Sequence, residues 1–393
     1  MTYAATTHGM DGTLVSPDWP PLKLEEVRAV LAQFAAIGAA ERILTVSPRP
    51  FSAAGVVQAA SGPVFVKRHD RRVRDREGLL EEHRFLAHLF AKGAPVPRVH
   101  VSDEGESAIA LGEATYEVHA IPAGVDAYED AISWTPFRAV GHAHAAGEAL
   151  ARLHIASRGY EARARRPRPL VASFSIFAAR DPIAAMARYL GQRPCLGADR
   201  GVRVCAARAL DLLTPFHAEL APLLPALEPL WTHNDLHNSN LFWSDGSVEA
   251  RATGVIDFGL SDRTNAVHDL AHAIERNIVE WLDLVNDPGH PCATRIHLDH
   301  LEALLDGYES VRPLSAEERE ALAPMTALCH AEFALSEADY FLDVLQAEEK
   351  AVMAYEGWLV GHAEWFHCET GRALLDALRR RAAGRRTRGA GRG

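Results

Sequence analysis

The sequence has little of what disulfide-rich, membrane-spanning or secreted proteins contain. Its five cysteines are odd in number and far apart, and none forms a CxxC pair, so neither a disulfide framework nor a zinc site is indicated. The longest uncharged run, Pro50–Val66, contains two prolines and two glycines, which excludes a transmembrane helix. The first ten residues lack a basic segment followed by an apolar one, so we expect no secretory signal and a cytoplasmic location.

Positive charge is scarce outside the C-terminal end. The formal net charge is −11, and seven arginines fall within the last fifteen residues, so the rest of the chain is near −18. Such an acidic body is a poor binder of nucleic acid, whose phosphates attract Lys and Arg. It is better suited to a small cationic molecule, because an acidic cleft concentrates positive ligands. We therefore expect a small-molecule partner and neither nucleic acid nor membrane, and nothing in the sequence indicates an oligomeric state.

The order of local patterns predicts an α+β protein with two lobes. Residues 1–20 are polar and rich in turn formers, which predicts a flexible tail. Residues 21–120 combine short β-prone runs with a helix near residues 75–92, which predicts a small lobe with an antiparallel sheet. Residues 121–378 are mostly helical, and residues 379–393 are rich in Arg and Gly, so we expect a larger helical lobe followed by a disordered tail.

Apolar spacing of three and four predicts individual helices within these lobes. It indicates helices at Leu22–Ala40, Val140–Ile155 and Ala316–Gln346. A β-rich island from Trp231 to Gly259 interrupts the helical lobe. Because its polar residues are flanked by apolar anchors, the island has the character of a preorganised site.

Two motifs in this island carry phosphoryl-transfer chemistry. Asp235 precedes Asn240 by five residues, and the second motif places Asp257 before Phe and Gly. Magnesium takes oxygen ligands, which the Asp257 carboxylate and the Asn240 amide supply, while Asp235 can accept the proton of an acceptor hydroxyl. An Asp-x4-Asn loop followed by Asp-Phe-Gly is the arrangement of protein kinases.

The N-terminal lobe offers a complementary phosphate clamp. Lys67 ends a β-prone run, and a lysine at such a position suits the α- and β-phosphates of a nucleotide. Glu82 lies on the apolar stripe of the next helix, where a carboxylate needs a partner. We therefore predict an ion pair between Lys67 and Glu82, with two unpaired surface charges as the alternative.

These motifs together resemble the aminoglycoside phosphotransferase-like family, which includes homoserine, hydroxylysine, methylthioribose and choline kinases. The matching segments run from about residue 60 to 275: Val64–Lys67, the helix of Glu82 with Gly93–Pro97, Gly147–His154, His233–Asn240, Ile256–Gly259 and Asp269–Ala271. The resemblance implies a bilobal protein-kinase-like fold. It also implies an ATP- and Mg²⁺-dependent phosphotransferase acting on a hydroxyl of a small molecule, such as an amino sugar, an amino alcohol or a hydroxy amino acid.

The resemblance also implies roles for individual residues. Asp235 is the implied catalytic base, and Asn240 with Asp257 are the implied magnesium ligands. Lys67 and Glu82 are the implied triphosphate clamp.

Adenine binding is implied at the interlobe hinge, where we select His119 and Ile121. The sequence departs from the family pattern at two places, one that bears on the subfamily and one that bears on the phosphate contacts. Asn234 stands where the antibiotic kinases usually have glycine, and the turn before Gly55 has no GxGxxG, so Ser52 is the candidate phosphate contact there.

Other interpretations of the same residues remain open. His233, Asp235 and His237 alternate along the chain and could hold the metal of a hydrolase. In the kinase interpretation, His233 orients the loop, His237 lies near the acceptor and Asp269 braces the loop from below. A protein Ser/Thr kinase of the same fold and an inactive nucleotide-binding pseudokinase are the remaining alternatives.

Overall fold

The N-terminal lobe is built on a five-stranded antiparallel sheet. The computed structural model describes residues 7–9, 12–287 and 291–390. A short pair of strands, β1 (Thr7–His8) and β2 (Leu14–Val15), precedes the sheet. The sheet has the order β3-β4-β5-β7-β6, and its strands are β3 (Ala40–Val46), β4 (Ala53–Ala59), β5 (Gly62–Asp70), β6 (Ile109–Leu111) and β7 (Ala114–Ala120).

Two helices accompany the sheet. α1 (Leu24–Leu31) buries Val27 and Val30 against it, and is shorter than the predicted helix because the chain turns through Ala32–Gly38. α2 (Arg76–Ala91) begins at Asp75, whose side chain accepts a hydrogen bond from the Gly78 amide. Such a cap satisfies one of the otherwise free amides of the first helical turn.

The C-terminal lobe is mainly helical. Its helices are α3 (Val140–Ser157), α4 (Pro182–Gly191), α5 (Pro194–Ala198), α6 (Arg200–Leu220), α7 (Ala266–Ile278), α8 (Trp281–Asn286), α9 (Leu298–Val311), α10 (Ala316–Leu328), α11 (Ala331–Asp339), α12 (Glu348–Val352), α13 (His362–Trp365) and α14 (Glu369–Ala390). Two antiparallel pairs lie between α6 and α7, formed by β8 (Pro229–Thr232) with β11 (Asp262–Asn265) and by β9 (Leu241–Trp243) with β10 (Ala252–Val255). The two-lobed α+β architecture is therefore confirmed.

Close contact between α3 and α9 depends on two glycines. A Cβ atom added to Gly147 would lie 2.0 Å from the Leu304 carbonyl oxygen, and one added to Gly307 would lie 2.0 Å from that of His144. Only glycine permits this approach of the two backbones. The helix pair supports α7, on which part of the candidate site lies.

The prediction of one continuous helix over Ala316–Gln346 is wrong. The chain breaks after α10, resumes as α11, and ends in a π-helical segment at Tyr340–Leu345. Periodicity alone did not reveal these breaks because apolar residues continue through them and are buried on all sides. The π-helical turn packs Tyr340 against Phe51 of the N-terminal lobe, with ring centroids 5.4 Å apart.

The structure describes parts of both tails, whose predicted boundaries stay predictions. The segment predicted to be disordered from residue 379 continues α14 through Ala390, while residues 391–393 lie outside the described part. The physical reason is charge pairing with α9: Arg381 contacts Asp306 at 2.6 Å and Glu309 at 2.9 Å. In the N-terminal tail, residues 1–6 and 10–11 are not described, but Trp19 donates a hydrogen bond to the Tyr340 hydroxyl.

None of the helices in the described ranges combines the length and the apolar character that crossing a lipid bilayer requires.

Candidate active site

A cleft between the lobes collects most of the predicted site residues. Ser52 and Lys67 line it from the N-terminal lobe, and Asp235, Asn240 and Asp257 line it from the C-terminal lobe. His237 also lines it. The residues come from separate loops, so the tertiary fold brings together groups that are up to 205 residues apart in the chain.

Lys67 and Asp257 face each other directly across the cleft. The Lys67 Nζ atom lies 3.1 Å from the Asp257 Oδ1 atom. Lys67 lies on β5, and Asp257 follows β10 with a left-handed backbone at φ 60°. Burial by itself would raise the pKa of Asp257, but the charge and hydrogen bond of Lys67 lower that pKa to about 2. Asp257 is therefore an anion at neutral pH, as a metal ligand must be.

Asp235 lies in the loop between β8 and β9, which Asp269 holds from below. Asp269 is fully buried on α7 and accepts hydrogen bonds from the backbone amides of His233 at 2.8 Å and Asn234 at 2.7 Å. Asn234 has a left-handed φ of 62°, a conformation that Gly and Asn adopt more readily than other residues. Asparagine at position 234 is therefore compatible with the backbone conformation of this loop.

The environment of Asp235 suits a proton acceptor. Its Oδ1 atom lies 3.1 Å from the Arg276 Nη1 atom. Burial raises the pKa of Asp235 to about 6, although the positive charge of Arg276 acts in the opposite direction. The carboxyl group is thus mainly ionised at neutral pH and more basic than an exposed aspartate, which favours general-base chemistry.

Asn240 is oriented for a metal by its own amide group. Its Nδ2 atom donates to the Asp235 backbone oxygen at 2.9 Å, which leaves the amide oxygen as its free acceptor. The backbone oxygen of Asn240 accepts from the Ile256 amide at 2.9 Å and so connects this loop to the one with Asp257. One carboxylate and one amide oxygen from adjacent loops are a donor set that fits Mg²⁺.

The two histidines of the loop do not form a metal cluster with Asp235. The His233 Nε2 atom forms a 2.9 Å hydrogen bond with the Ile256 backbone oxygen, and its Nδ1 atom accepts from the Asp235 amide. His237 lies with its Nε2 atom 4.0 Å from the Asp235 Oδ2 atom. Among the described residues, these three are not one of the groups whose ligand atoms could share an ion. The hydrolase interpretation therefore lacks its metal site.

The predicted ion pair between Lys67 and Glu82 is wrong. The Glu82 Oε1 atom accepts instead from Arg74 at 2.8 Å and from Arg165 at 2.7 Å, and all three side chains are buried. Arg74 also donates to the Gly259 backbone oxygen at 2.7 Å. An arginine has five donors in a fixed planar fork, so Arg74 can bond the Glu82 carboxylate and the Gly259 backbone oxygen at the same time. Glu82 consequently connects α2 to the turn after Asp257 and does not contact Lys67.

The two hinge residues lie near the end of β7, outside the lining of the cleft. His119 bonds through its Nε2 atom to the Glu117 Oε2 atom at 2.8 Å, and Ile121 follows the last residue of the strand. Adenine binding there stays a prediction.

Several cleft residues were missed by the sequence analysis. The most important is Arg276, which is 1% exposed and lies 4.5 Å above the Phe333 ring. Arg276 lies seven residues after Asp269 and so on the same face of α7, and this spacing could have indicated that Arg276 points toward the site. Others include Trp134 and Phe333, and Arg49 in the turn between β3 and β4. Arg49 donates to the Ser133 hydroxyl at 2.7 Å and so connects the two lobes.

Comparison with known proteins agrees with this geometry. The sequence model of the phosphotransferase enzyme family matches residues 51–314, about two thirds of the chain. The matched region includes the cleft residues from Ser52 to Arg276. The homoserine kinase of Rhodospirillum rubrum is 28% identical over 246 residues, covering 60% of this chain and 61% of its own length. That of Gluconacetobacter diazotrophicus is 25% identical over 291 residues, covering 72% and 75%. The chain thus spans less than two thirds of the first of these relatives.

Solved structures share the fold across nearly the whole chain. A microcompartment-associated aminopropanol kinase aligns with a TM-score of 0.57 and 17% identity, covering 88% of this chain and 97% of its own. An aminoglycoside phosphotransferase from Alicyclobacillus acidocaldarius aligns with a TM-score of 0.52 and 17% identity, covering 93% and 98%. At these identities the likeness concerns the fold, which is the protein-kinase-like fold. The two-lobed architecture, the facing Lys67 and Asp257 and the family match together show that the chain belongs to the phosphotransferase enzyme family.

Proposed function

We propose that the protein transfers the γ-phosphoryl group of ATP, with Mg²⁺, to a hydroxyl group of a small molecule in the cytoplasm. The observation that carries this proposal is the 3.1 Å contact between Lys67 and Asp257 in a cleft that also exposes Asp235 and Asn240. In this proposal Lys67 is the nucleotide clamp, Asn240 and Asp257 hold magnesium and Asp235 is the base, and their lining of one cleft supports these roles.

Each residue has a role that follows from its environment. Asp235 orients the acceptor hydroxyl and takes its proton as the hydroxyl oxygen bonds to the γ-phosphorus. The bond from that phosphorus to the bridging oxygen breaks in the same step, and ADP leaves. Asn240 and Asp257 would hold the metal, which neutralises the charge that develops on the phosphates. Lys67 would exchange its contact with Asp257 for the α- and β-phosphates when nucleotide binds. Ser52 and the neighbouring backbone would cover the phosphates, and Arg49 would add positive charge on that side.

The acceptor proposed first is a hydroxy amino acid. Arg276 lines the cleft next to Asp235 and can bind a carboxylate. An acceptor that carries a carboxylate can place that group against Arg276 while its hydroxyl faces Asp235. The similarity to homoserine kinases supports the same choice.

The test is an ADP-release screen with Mg²⁺ and ATP over homoserine, hydroxylysine, choline, aminopropanol and aminoglycosides. We expect turnover with a hydroxy amino acid and loss of turnover, with ATP binding retained, in Asp235→Asn. Asp211→Asn on the exposed face of α6 is the matched control and should behave as the wild type. Wild-type turnover in Asp235→Asn would refute the assignment of the base.

Two further arms separate the other functions. Labelling of casein or histone without turnover of any small hydroxyl compound would replace the proposal with a protein kinase. ATP binding without turnover of any acceptor would instead support a pseudokinase.

A further inference from the structure

The C-terminal lobe contains a second group of ligand-type side chains, buried behind the cleft. It consists of His272 and Glu275 on α7, Cys329 and His330 between α10 and α11, and His362 on α13. We call these five residues the buried cluster. None of them is more than 4% exposed. They are distinct from Asp235, Asn240 and Asp257, which line the cleft.

The ligand-type atoms of the buried cluster lie close together, although the rings of His330 and His362 are stacked with centroids 4.2 Å apart and would have to rotate to share an ion. In each of two overlapping groups, the potential ligand atoms lie within 4.8 Å of one another: His272, Glu275 and Cys329 form one, and Glu275, His330 and His362 form the other. Glu275 belongs to both groups. Its Oε1 atom lies 3.0 Å from the His362 Nε2 atom and 3.5 Å from the His330 Nδ1 atom. Donors from three separate parts of the chain therefore converge on one carboxylate.

Several buried polar atoms of the cluster have no hydrogen-bond partner. They are the Glu275 Oε2 atom, the His272 Nδ1 atom and both ring nitrogens of His330. Buried polar groups in folded proteins are nearly always partnered. Other buried atoms of the described residues, such as those of Arg276 and Glu337, also lack a protein partner, but only in the buried cluster do such atoms lie on ligand-type side chains that converge on one carboxylate.

We propose that the buried cluster binds one zinc ion, with Glu275, His330 and His362 as ligands and Cys329 or His272 as the fourth. Nitrogen, sulfur and carboxylate donors together favour zinc, whereas magnesium and calcium take only oxygen donors. Four protein ligands leave no open position, so the site is structural. It would join α7 to α11 and α13.

The location of this site connects it to the cleft. Glu275 immediately precedes Arg276, which contacts Asp235. An ion held by Glu275 would therefore fix the turn of α7 that presents Arg276. The inference does not depend on the acceptor or on the phosphoryl-transfer activity, and its test measures metal content.

The first measurement is the zinc content of the full-length wild-type protein, purified without chelator and without a metal-affinity column. We expect about one zinc per chain, as a closed four-ligand site would hold. Removal of the ion with a chelator at neutral pH should lower the thermal midpoint, and zinc should restore it. The proposal would be overturned if the purified protein holds no zinc and added zinc does not raise its thermal midpoint. Buried water would then satisfy the polar atoms of the cluster.

Variants then assign the ion to the buried cluster. His362→Asn should reduce the zinc content at least tenfold, as expected for loss of one ligand of a closed site. His83→Asn is the matched control, since His83 belongs to a different histidine–carboxylate group, with Glu117 and His119. That group has its hydrogen bonds satisfied through Ser107 and Glu117, so this variant should retain zinc. Retention of zinc by a folded His362→Asn variant, or its loss in His83→Asn, would also overturn the proposal.

Cobalt substitution identifies the fourth ligand and needs no folded His362 variant. A sulfur-to-cobalt charge-transfer band that disappears in Cys329→Ser would assign Cys329, and its absence in the wild type would assign His272. Asp257→Asn should retain zinc, because Asp257 belongs to the magnesium site. If zinc is lost in Asp257→Asn, the ion belongs to the cleft and the proposal is wrong.

Discussion

Replacement of Arg276 by methionine tests whether this residue controls the basicity of Asp235. The Arg276 Nη1 atom lies 3.1 Å from the Asp235 Oδ1 atom, and both groups are largely buried. Two unit charges at this distance attract by about 5 kcal/mol at an effective dielectric constant of about 20. Much of that attraction is offset by desolvation, and an adjacent arginine usually lowers the pKa of an aspartate by about 1–3 units.

The expected result is a shift of the acid limb of the pH–rate profile. Asp235 has a pKa of about 6 with Arg276 present, and it must be ionised to accept a proton. Loss of the guanidinium should raise this pKa by about 1.5 units, so that kcat/KM at pH 6 falls about tenfold more than kcat/KM at pH 9. Methionine keeps most of the apolar stem of the side chain, which limits structural effects, although the contact of the guanidinium group with the Phe333 ring is lost.

The assay is kcat/KM for the acceptor from pH 5 to 9 at saturating MgATP. Bound nucleotide shifts the profiles of both proteins, so the measured quantity is the difference between them. Arg276→Lys retains the charge and should keep the acid limb near that of the wild type. An unchanged acid limb in Arg276→Met, even with a raised KM, would refute the electrostatic role and leave Arg276 only as an acceptor-binding residue.

Four further changes give separate readouts. Burial raises the pKa of Glu337 to about 8 in the folded state. The unfolded chain therefore loses this proton at lower pH than the folded protein, and the free energy of unfolding decreases as the pH rises from about 4.5 to about 8. Glu337→Gln should therefore increase the free energy of unfolding by roughly 5 kcal/mol at pH 9 and hardly at pH 4, and denaturation showing equal effects at both would contradict this. Glu82→Gln should lower the free energy of unfolding by about 3 kcal/mol, because it leaves Arg74 and Arg165 buried without their anion, and a wild-type denaturation midpoint would contradict it. Lys67→Met should weaken ATP binding with little effect on unfolding, and calorimetric titration with unchanged affinity would exclude its role as phosphate clamp. Asp269→Asn should lower kcat with an unchanged KM for ATP, because Asp269 positions the base through the backbone, and kinetics showing the reverse would place Asp269 elsewhere.

The components of the site that lie on short loops could be predicted from the sequence. Asp235 and Asn240 are five residues apart, and Asp257 belongs to the next loop, so local spacing and the resemblance to known kinases were sufficient. Lys67 followed from its place at the end of a strand pattern. The cap of α2 at Asp75 and the two-lobed layout also follow from local signals, because they depend on neighbouring residues.

The partners of the buried charges could not be predicted in this way. The apolar stripe of α2 correctly indicates that Glu82 faces the core and needs a cationic partner. The predicted partner, Lys67, is wrong, since Glu82 pairs with Arg74 and Arg165. Arg165 lies 83 residues further along the chain in a segment without regular structure, and nothing in its local pattern indicates where its side chain points. The same applies to Arg276, whose contact with Asp235 spans 41 residues.

The sequence by itself determined the class of the protein, its lobes and the chemical groups available for phosphoryl transfer, because these properties depend on composition, periodicity and short spacing. Only the tertiary structure decided which charges meet, how the pKa of Asp235 is raised, that the arginine-rich end extends α14 along the acidic residues of α9, and that five ligand-type side chains converge behind the cleft. The physical reason is that electrostatic energies depend on distances of a few ångströms and on burial. Both are set by the packing of segments that are remote in the chain.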